Sequence, residues 1–489
     1  MILHLRSTIA VVVLGAFVSL SMPSMLYAQA AKGSLVAAAE RADWGAVEKQ
    51  LRAKQDPNAR QPDGMTALHW AAFHGSEQGA RLLIESGATV DAPTEYQITP
   101  LSIACELGKP KVVRVLLEGK ADPNLAIAGG ETPLMTAART GVVDSVTQLL
   151  EAGAKVDATE RNGQTALMWG AAEGHTEVVQ RLLDAGGDPN RSLSSGYTAL
   201  LFAARQGKIE VARTLIASGV DVNGVMRPKS TAGRAPRDKM SALMLAVESG
   251  HFELALELVR LGADPNDQRS GYAPLHALTW VRRTNIGDNV DGDPPPRGSG
   301  TVTDLEFVRE LVRLGADVNL KLAAGNGGRA RLNHKGATPF LLAAKTADLP
   351  LLEVLLELKA DPTLTNVEDV TPLLAASGIG VFSVGEEPGT PEEVIATLRF
   401  LCELGADVNH VDGNGETAMH GAAYHNYPEV VAELQRLGAK SQVWKRKSKY
   451  QATPIEVAQG KRPGSFKPSP ETVAALVAAI EAEKKAPSR

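Results

Sequence analysis

Two patterns of apolar residues alternate along this chain. In NGQTALMWGAAEGHTEVVQRLLDAGGDPN, Asn162 to Asn190, a compact, mostly apolar run is followed by Val178, Val179, Leu182 and Leu183 at helical spacing. The pattern predicts two short helices. Thr165 can accept a bond from an orphan N–H at the start of the first. Other copies place Pro next, at Pro100, Pro133, Pro339 and Pro372, where it suits a first helical turn. Paired alanines (Ala137-Ala138, Ala203-Ala204, Ala343-Ala344) give this helix a thin face, and Gly141, Gly174 or Gly207 ends it in a left-handed conformation. Gly186 then stops the second helix, and Asp188-Pro189-Asn190 turns the chain.

The stretch is one copy of many. Its Thr-Pro/Ala-Leu anchor and close variants recur at Thr66, Thr99, Thr132, Thr165, Thr198, Ser241, Ala273, Thr338, Thr371, Thr417 and Thr453; the first four intervals are all 33 residues. A fixed period of this size is the signature of a solenoid. The motifs TALHWAAFHG, TPLMTAARTG and GHTEVV, with the LGADPN and LGADVN closings, resemble ankyrin repeats over nearly all of residues 34–480. That resemblance implies an all-α fold, an ankyrin-repeat solenoid of about 11–12 helix-turn-helix units with short β-hairpin fingers. Residues 1–30 are expected to be a secretory signal peptide and 31–62 an N-terminal cap. The repeat array covers 63–449, with insertions near 227–237, 281–303, 320–334 and 378–391, and 450–489 form the C-terminal cap and tail.

Composition fits close helix packing: aromatics are 4% and charged residues 22%. A formal charge of −5 argues against a general polyanion binder, and no nucleic-acid partner is expected. The leader carries Arg6, an apolar run from Ile9 to Leu20, Pro23 and the small residues Ala28 and Ala30 around Gln29. Its apolar run is shorter than the roughly 20 residues that span a bilayer. Cleavage is therefore expected, with no membrane span afterwards. Cys105 and Cys402 lie in different repeats and are expected to be buried and unpaired.

Where the period lengthens, the extra residues have two locations. The units at Ala273 and Thr371 carry 21 and 13 extra residues between their helices, while the connections after Gly219, Gly315 and Gly438 are stretched. In the ankyrin family that connection forms the finger, so long fingers are expected on one edge and the helix-to-helix insertions on the opposite edge. The fingers are basic: Arg227, Lys229, Arg234, Arg237 and Lys239; Arg329, Arg331 and Lys335; Lys445, Arg446, Lys447 and Lys449. Glu386, Glu387, Glu392 and Glu393 make the insertion after Thr371 acidic.

No Walker loop, nucleophile elbow, HExxH, CxxC or haem-attachment motif is present. The expectation is a non-enzyme without cofactor or metal. His69, His276 and His420 sit at the fourth anchor position and His175 and His251 after the helix-ending Gly, where the family uses His structurally. His410, Asp412, His420 and His425 are the densest set of metal-ligand types, and Asp288, Asp291, Asp293 and His334 are the candidates for a site in the inserted loops. By resemblance, partners are met by finger tips and by residues near the end of the first helix. The candidate partner-binding residues are Phe73, His74, Glu106, Arg139, Glu173, Arg205, Glu248, Trp280, Lys345, Tyr424 and His425, with Trp444 in the last long finger. Glu106, Arg139, Glu173, Arg205 and Glu248 alternate in charge, either as a ladder of weak ion pairs or as part of a concave binding face anchored by Phe73, Trp280 and Tyr424. The resulting functional reading is a scaffold for an unidentified protein partner in the periplasm. The alternatives are an effector acting on another cell and an enzyme with a site in the inserted loops.

Overall fold

A computed structural model describes residues 34–230, 238–284, 296–325, 331–385, 387–461 and 467–485. The chain divides into two compact units, Met1–Gly170 with Glu177–Gly187, and Ala171–Thr176 with Asp188–Arg489. The first contains α1 (Leu35–Glu40), α2 (Trp44–Arg52), α3 (Ala67–His74), α4 (Glu77–Glu85), α5 (Pro100–Glu106), α6 (Pro110–Glu118), α7 (Pro133–Thr140) and α8 (Val143–Glu151). The division between the units runs through α9 (Ala166–Glu173) and α10 (Thr176–Asp184).

The second unit continues with α11 (Ala199–Arg205), α12 (Ile209–Ala217), α13 (Ala242–Glu248), α14 (Phe252–Arg260), α15 (Pro274–Arg282) and α16 (Asp304–Arg313). Next come α17 (Pro339–Lys345), α18 (Leu349–Glu357), α19 (Pro372–Ser377), α20 (Pro391–Glu403), α21 (Ala418–His425) and α22 (Pro428–Arg436). It closes with α23 (Ser441–Trp444), α24 (Pro454–Ala458) and α25 (Pro470–Lys485). Within each unit, first helices pack on first helices and second helices on second helices, forming two layers.

The anchor makes the helix start that its sequence requires. The Thr132 hydroxyl accepts from the Met135 N–H at 3.3 Å, Pro133 opens α7, and Gly141 closes it at φ 79°. His69 forms a capping box with Thr66: its Nδ1 accepts from the Thr66 N–H at 3.1 Å, and its Nε2 donates to the Ile98 carbonyl of the next finger at 3.1 Å. His276 Nε2 lies 3.0 Å from the Leu320 carbonyl, and His420 caps α21 with Thr417. Burial pushes all three imidazoles down to about 4, so they stay neutral near pH 7.

The paired alanines lie inside: Ala137, Ala138, Ala203, Ala204, Ala343 and Ala344 are all 0% exposed. At α19 and α21 the approach is closer still. A Cβ added to Gly421 would come within 2.3 Å of Ser377 Oγ and 2.8 Å of the Ser377 carbonyl, so only hydrogen fits there.

Asparagines tie successive turns together. Asn58 donates to the Gly87 carbonyl at 3.1 Å and accepts from the Thr89 N–H at 2.6 Å; Asn124, Asn223, Asn266 and Asn409 repeat this on Gly153, Gly262, Gly315 and Gly438. This is the physical role of Asn in the LGADPN closings: one amide satisfies both a donor and an acceptor left over at a helix end. The fingers differ from the expected β-hairpins. Among the described residues they hold isolated antiparallel bridges at Arg60–Thr66 and Val225–Ser241, and no strand. Their short arms close as single turns, such as Thr94 N–H to the Ile98 carbonyl at 2.9 Å.

Candidate functional site

The richest meeting of charged and aromatic side chains is built by the two helix-to-helix insertions and the long finger after Gly315. It begins at Arg282, which ends α15 at a position where most copies of the repeat have Gly. Arg282 grips the Asp348 carboxylate with two hydrogen bonds, Nε to Oδ2 at 2.7 Å and Nη2 to Oδ1 at 3.1 Å, and pairs with Asp304 at the start of α16. Only 1% of the Asp348 side chain is exposed, and its Oδ1 also caps α18 through the Leu351 N–H. One guanidinium thus joins the two ends of the first insertion to the next repeat. The returning segment is pinned as well: His251 Nδ1 meets the Ser299 N–H at 2.9 Å, and the Glu253 carboxylate accepts from the Thr301 N–H at 2.7 Å.

Beside this junction, the Tyr272 hydroxyl lies 3.0 Å from His334 Nδ1, and the rings of Tyr272 and Trp280 meet edge to face at 4.7 Å. Burial, reinforced by the nearby Lys345 charge, pushes His334 down to about 4. A neutral imidazole can share a hydrogen bond with the tyrosine hydroxyl without taking its proton. Lys345 pairs with Glu387, and Arg283 with Glu393 at 2.8 Å. Arg331 lies over the Phe382 ring, 4.3 Å from its centroid.

This geometry corrects the expectation of opposite edges. The finger after Gly315 reaches the insertion after Thr371, because its added residues, each worth up to ~3.3 Å of reach, let it fold back. The acids of that insertion are also not an isolated negative patch: Lys345 neutralises Glu387 and Arg283 neutralises Glu393. Arg234, Arg237, Arg329, Glu386, Asp288, Asp291 and Asp293 lie outside the described residues.

The remaining candidates separate by burial. Phe73 is half-buried with its ring edge to face against Trp70 at 5.5 Å, and exposed His74 donates to the Glu40 carbonyl at 2.9 Å. Arg139 pairs with Glu106 and, at 3.3 Å, with Glu131, while its guanidinium lies 5.9 Å from the Trp169 ring centroid. Arg205 is exposed over Tyr197, and Glu173 and Glu248 are half-buried. Three candidates are corrected: Tyr424, His425 and Trp444 are only 1–2% exposed. Tyr424 donates to the buried Glu416 carboxylate, and His425 stacks on Tyr427 at 4.7 Å. Trp444 turns inward because its finger coils into α23, which packs on α25. Cys105 is buried as expected, but Cys402 is half-buried; both are free thiols. His410 meets the Asp369 carbonyl at 3.0 Å, while His420 and His425 are engaged as described, so that sequence cluster does not converge.

The partners of the first-helix ends follow a spacing that sequence inspection missed. The residue just before the anchor meets the one eight positions later: Glu131 with Arg139, Tyr197 with Arg205, Tyr272 with Trp280, and Glu416 with Tyr424. Charge or aromatic character at that pre-anchor position, apolar in several other copies, was the available signal. Glu416 is the least accessible of these acids, at 2% exposed, with buried Asp412 nearby; burial pushes Glu416 up to about 7 and Asp412 to about 6.

The stacked pairs, capping histidines and asparagine links all belong to one repeating unit, and comparison names it. The family profile described as "Ankyrin repeats (3 copies)" matches residues 35–127, 121–192 and 179–269, and "Ankyrin repeats (many copies)" matches 392–432. The chain belongs to the ankyrin repeat family. Among curated relatives, human ankyrin repeat and SOCS box protein 16 is 32% identical over 222 residues, covering 42% of this chain and 46% of that protein. Dog inversin is 28% identical over 130 residues, covering 27% of this chain and 10% of that protein. The chain therefore spans less than half the length of either relative. The human ASB11 ankyrin repeat domain, a crystal structure, aligns with a TM-score of 0.41 and 24% identity over 47% of this chain and 98% of that one. No described helix of the present ankyrin protein is long and apolar enough to cross a membrane.

Proposed function

We propose that this ankyrin protein is an exported, non-enzymatic scaffold that holds a protein partner on the surface around Trp280. The carrying observation is that two insertions and a long finger are tied together beside half-buried Trp280, whose ring packs on Tyr272, itself held by His334. Aromatic side chains fixed before binding lose little entropy on association and often dominate interface energy. Lys345, Arg283 and Arg331 are already engaged, so the surface offers a rigid mosaic with no free catalytic group among them. The leader at residues 1–30 supports export, and the periplasm is the proposed compartment.

The test is a quantitative pull-down from cell-envelope extract with the parent and Trp280→Ser as baits. A partner held by the parent should bind the variant about 30-fold more weakly. If folded parent captures nothing, the scaffold reading fails. Equal capture by both baits removes Trp280 as the anchor.

A further inference from the structure

We propose that the loop Lys445–Lys449 is a peripheral docking site for an anionic lipid surface. The charge of this chain is unevenly distributed. From Leu437 to Arg489 the sequence carries eleven Lys and Arg against four Glu, a net +7 within a chain whose total is −5. Four of these cations fall within five residues.

The structure holds this loop in place from beneath. Trp444 and Ser448 are 2% and 1% exposed, the Lys449 N–H donates to the Asn414 carbonyl at 2.8 Å, and the Ser448 N–H donates to the Ala452 carbonyl at 3.1 Å. Lys445, Arg446 and Lys447 stand exposed on it, and among the described residues none of the three makes an ion pair. Glu483 and Glu456 are near enough to feel Lys445 and Lys447 without contacting them. This differs from the Trp280 surface, where the cations are taken up by partners within the fold.

The choice between a protein and a lipid surface follows from residue type. Protein hot spots draw on exposed Trp, Tyr and Arg, and interface cores are depleted in Lys. Here the loop is three Lys to one Arg, and the adjacent Trp444 is buried. Successive cations on a turn diverge, which suits a diffuse negative field better than one carboxylate. Clusters of this size are drawn to anionic headgroups, each cation strengthening binding about fivefold. With the indole inside, adsorption is electrostatic and salt-sensitive.

The test compares the full chain with K445Q/R446Q/K447Q in sedimentation with vesicles of phosphatidylcholine, alone or mixed with phosphatidylglycerol. The apolar run at residues 9–20 is common to both proteins and cancels in the comparison. The parent should prefer the anionic vesicles, lose that preference near ~1 M salt, and retain on the order of 100-fold more of it than the variant at ~0.1 M. Helix content and melting should match, because Trp444 and Ser448 are untouched. A parent without anionic preference, or a folded variant that keeps it, overturns the proposal. So does binding to polyglutamate or an oligonucleotide in place of anionic vesicles. The salt and lipid comparisons on the parent test electrostatic adsorption, the variant assigns it to this loop, and neither depends on Trp280.

Discussion

Replacing Arg282 by Leu should open the junction between the first insertion and the repeat that follows. Leu fills part of the arginine stem's volume but removes the two hydrogen bonds to Asp348 and the pairing with Asp304. Asp348, with 1% of its side chain exposed, would keep a buried charge without its counterion. Breaking a buried pair from one side costs ~3–5 kcal/mol, mostly as the stranded charge. Adding Asp348→Asn removes that charge while preserving an acceptor for the Leu351 N–H, and should bring the loss to within ~1–2 kcal/mol of the parent. A solenoid need not unfold in one step, so a single denaturation midpoint is a poor measure. Hydrogen exchange of the α15–α18 amides reads the junction directly and should speed up on the order of 100-fold in R282L. A loss under ~1 kcal/mol with unchanged exchange would refute this account of Arg282. A double variant as unstable as R282L would refute the stranded-charge explanation.

Other residues give separate checks. Because the folded-state pKa of Glu416 is raised to about 7 from its ordinary 4.5, its stabilising protonation is complete below pH 4.5 and lost as pH rises through 7. Asp412, Glu368, Lys449 and Tyr424 face it, so the comparison is with E416Q: the stability difference between the two proteins should shift by ~3 kcal/mol in the variant's favour from pH 4 to 8, and a flat difference counts against this buried carboxyl. Gly421→Ala should cost ~1–3 kcal/mol of local stability, read as faster hydrogen exchange in α19 and α21, because its methyl meets the Ser377 backbone; unchanged exchange would mean the two helices separate easily. Half-buried Cys402 should react with a maleimide before Cys105, whose burial pushes its thiol far above the usual range; mass mapping that finds Cys105 first contradicts the packing.

Local chemistry and periodicity were legible in the sequence. The Thr anchors, the following prolines, the helix-ending glycines and the paired alanines act within one turn or across one repeat, so a 33-residue period exposes them without coordinates. The same count predicts extra residues between the two helices of two units, whose first helices end at Arg282 and Ser377. The fate of individual side chains was not legible. Trp280 and Tyr424 occupy the same repeat position, yet one remains half-buried and the other is sealed in by Glu416 and its surroundings. Position within a repeat sets which way a side chain leaves its helix; whether it meets solvent depends on what a neighbouring loop brings over it. The fold-back that stacks Arg331 on Phe382, the pairing of Lys345 with Glu387, and the inward turn of Trp444 all join residues at separations set by insertion length rather than by the period. Those contacts arise only once the layers are stacked and the loops span them, which is why the sequence determined the repeat and the tertiary structure decided the surface.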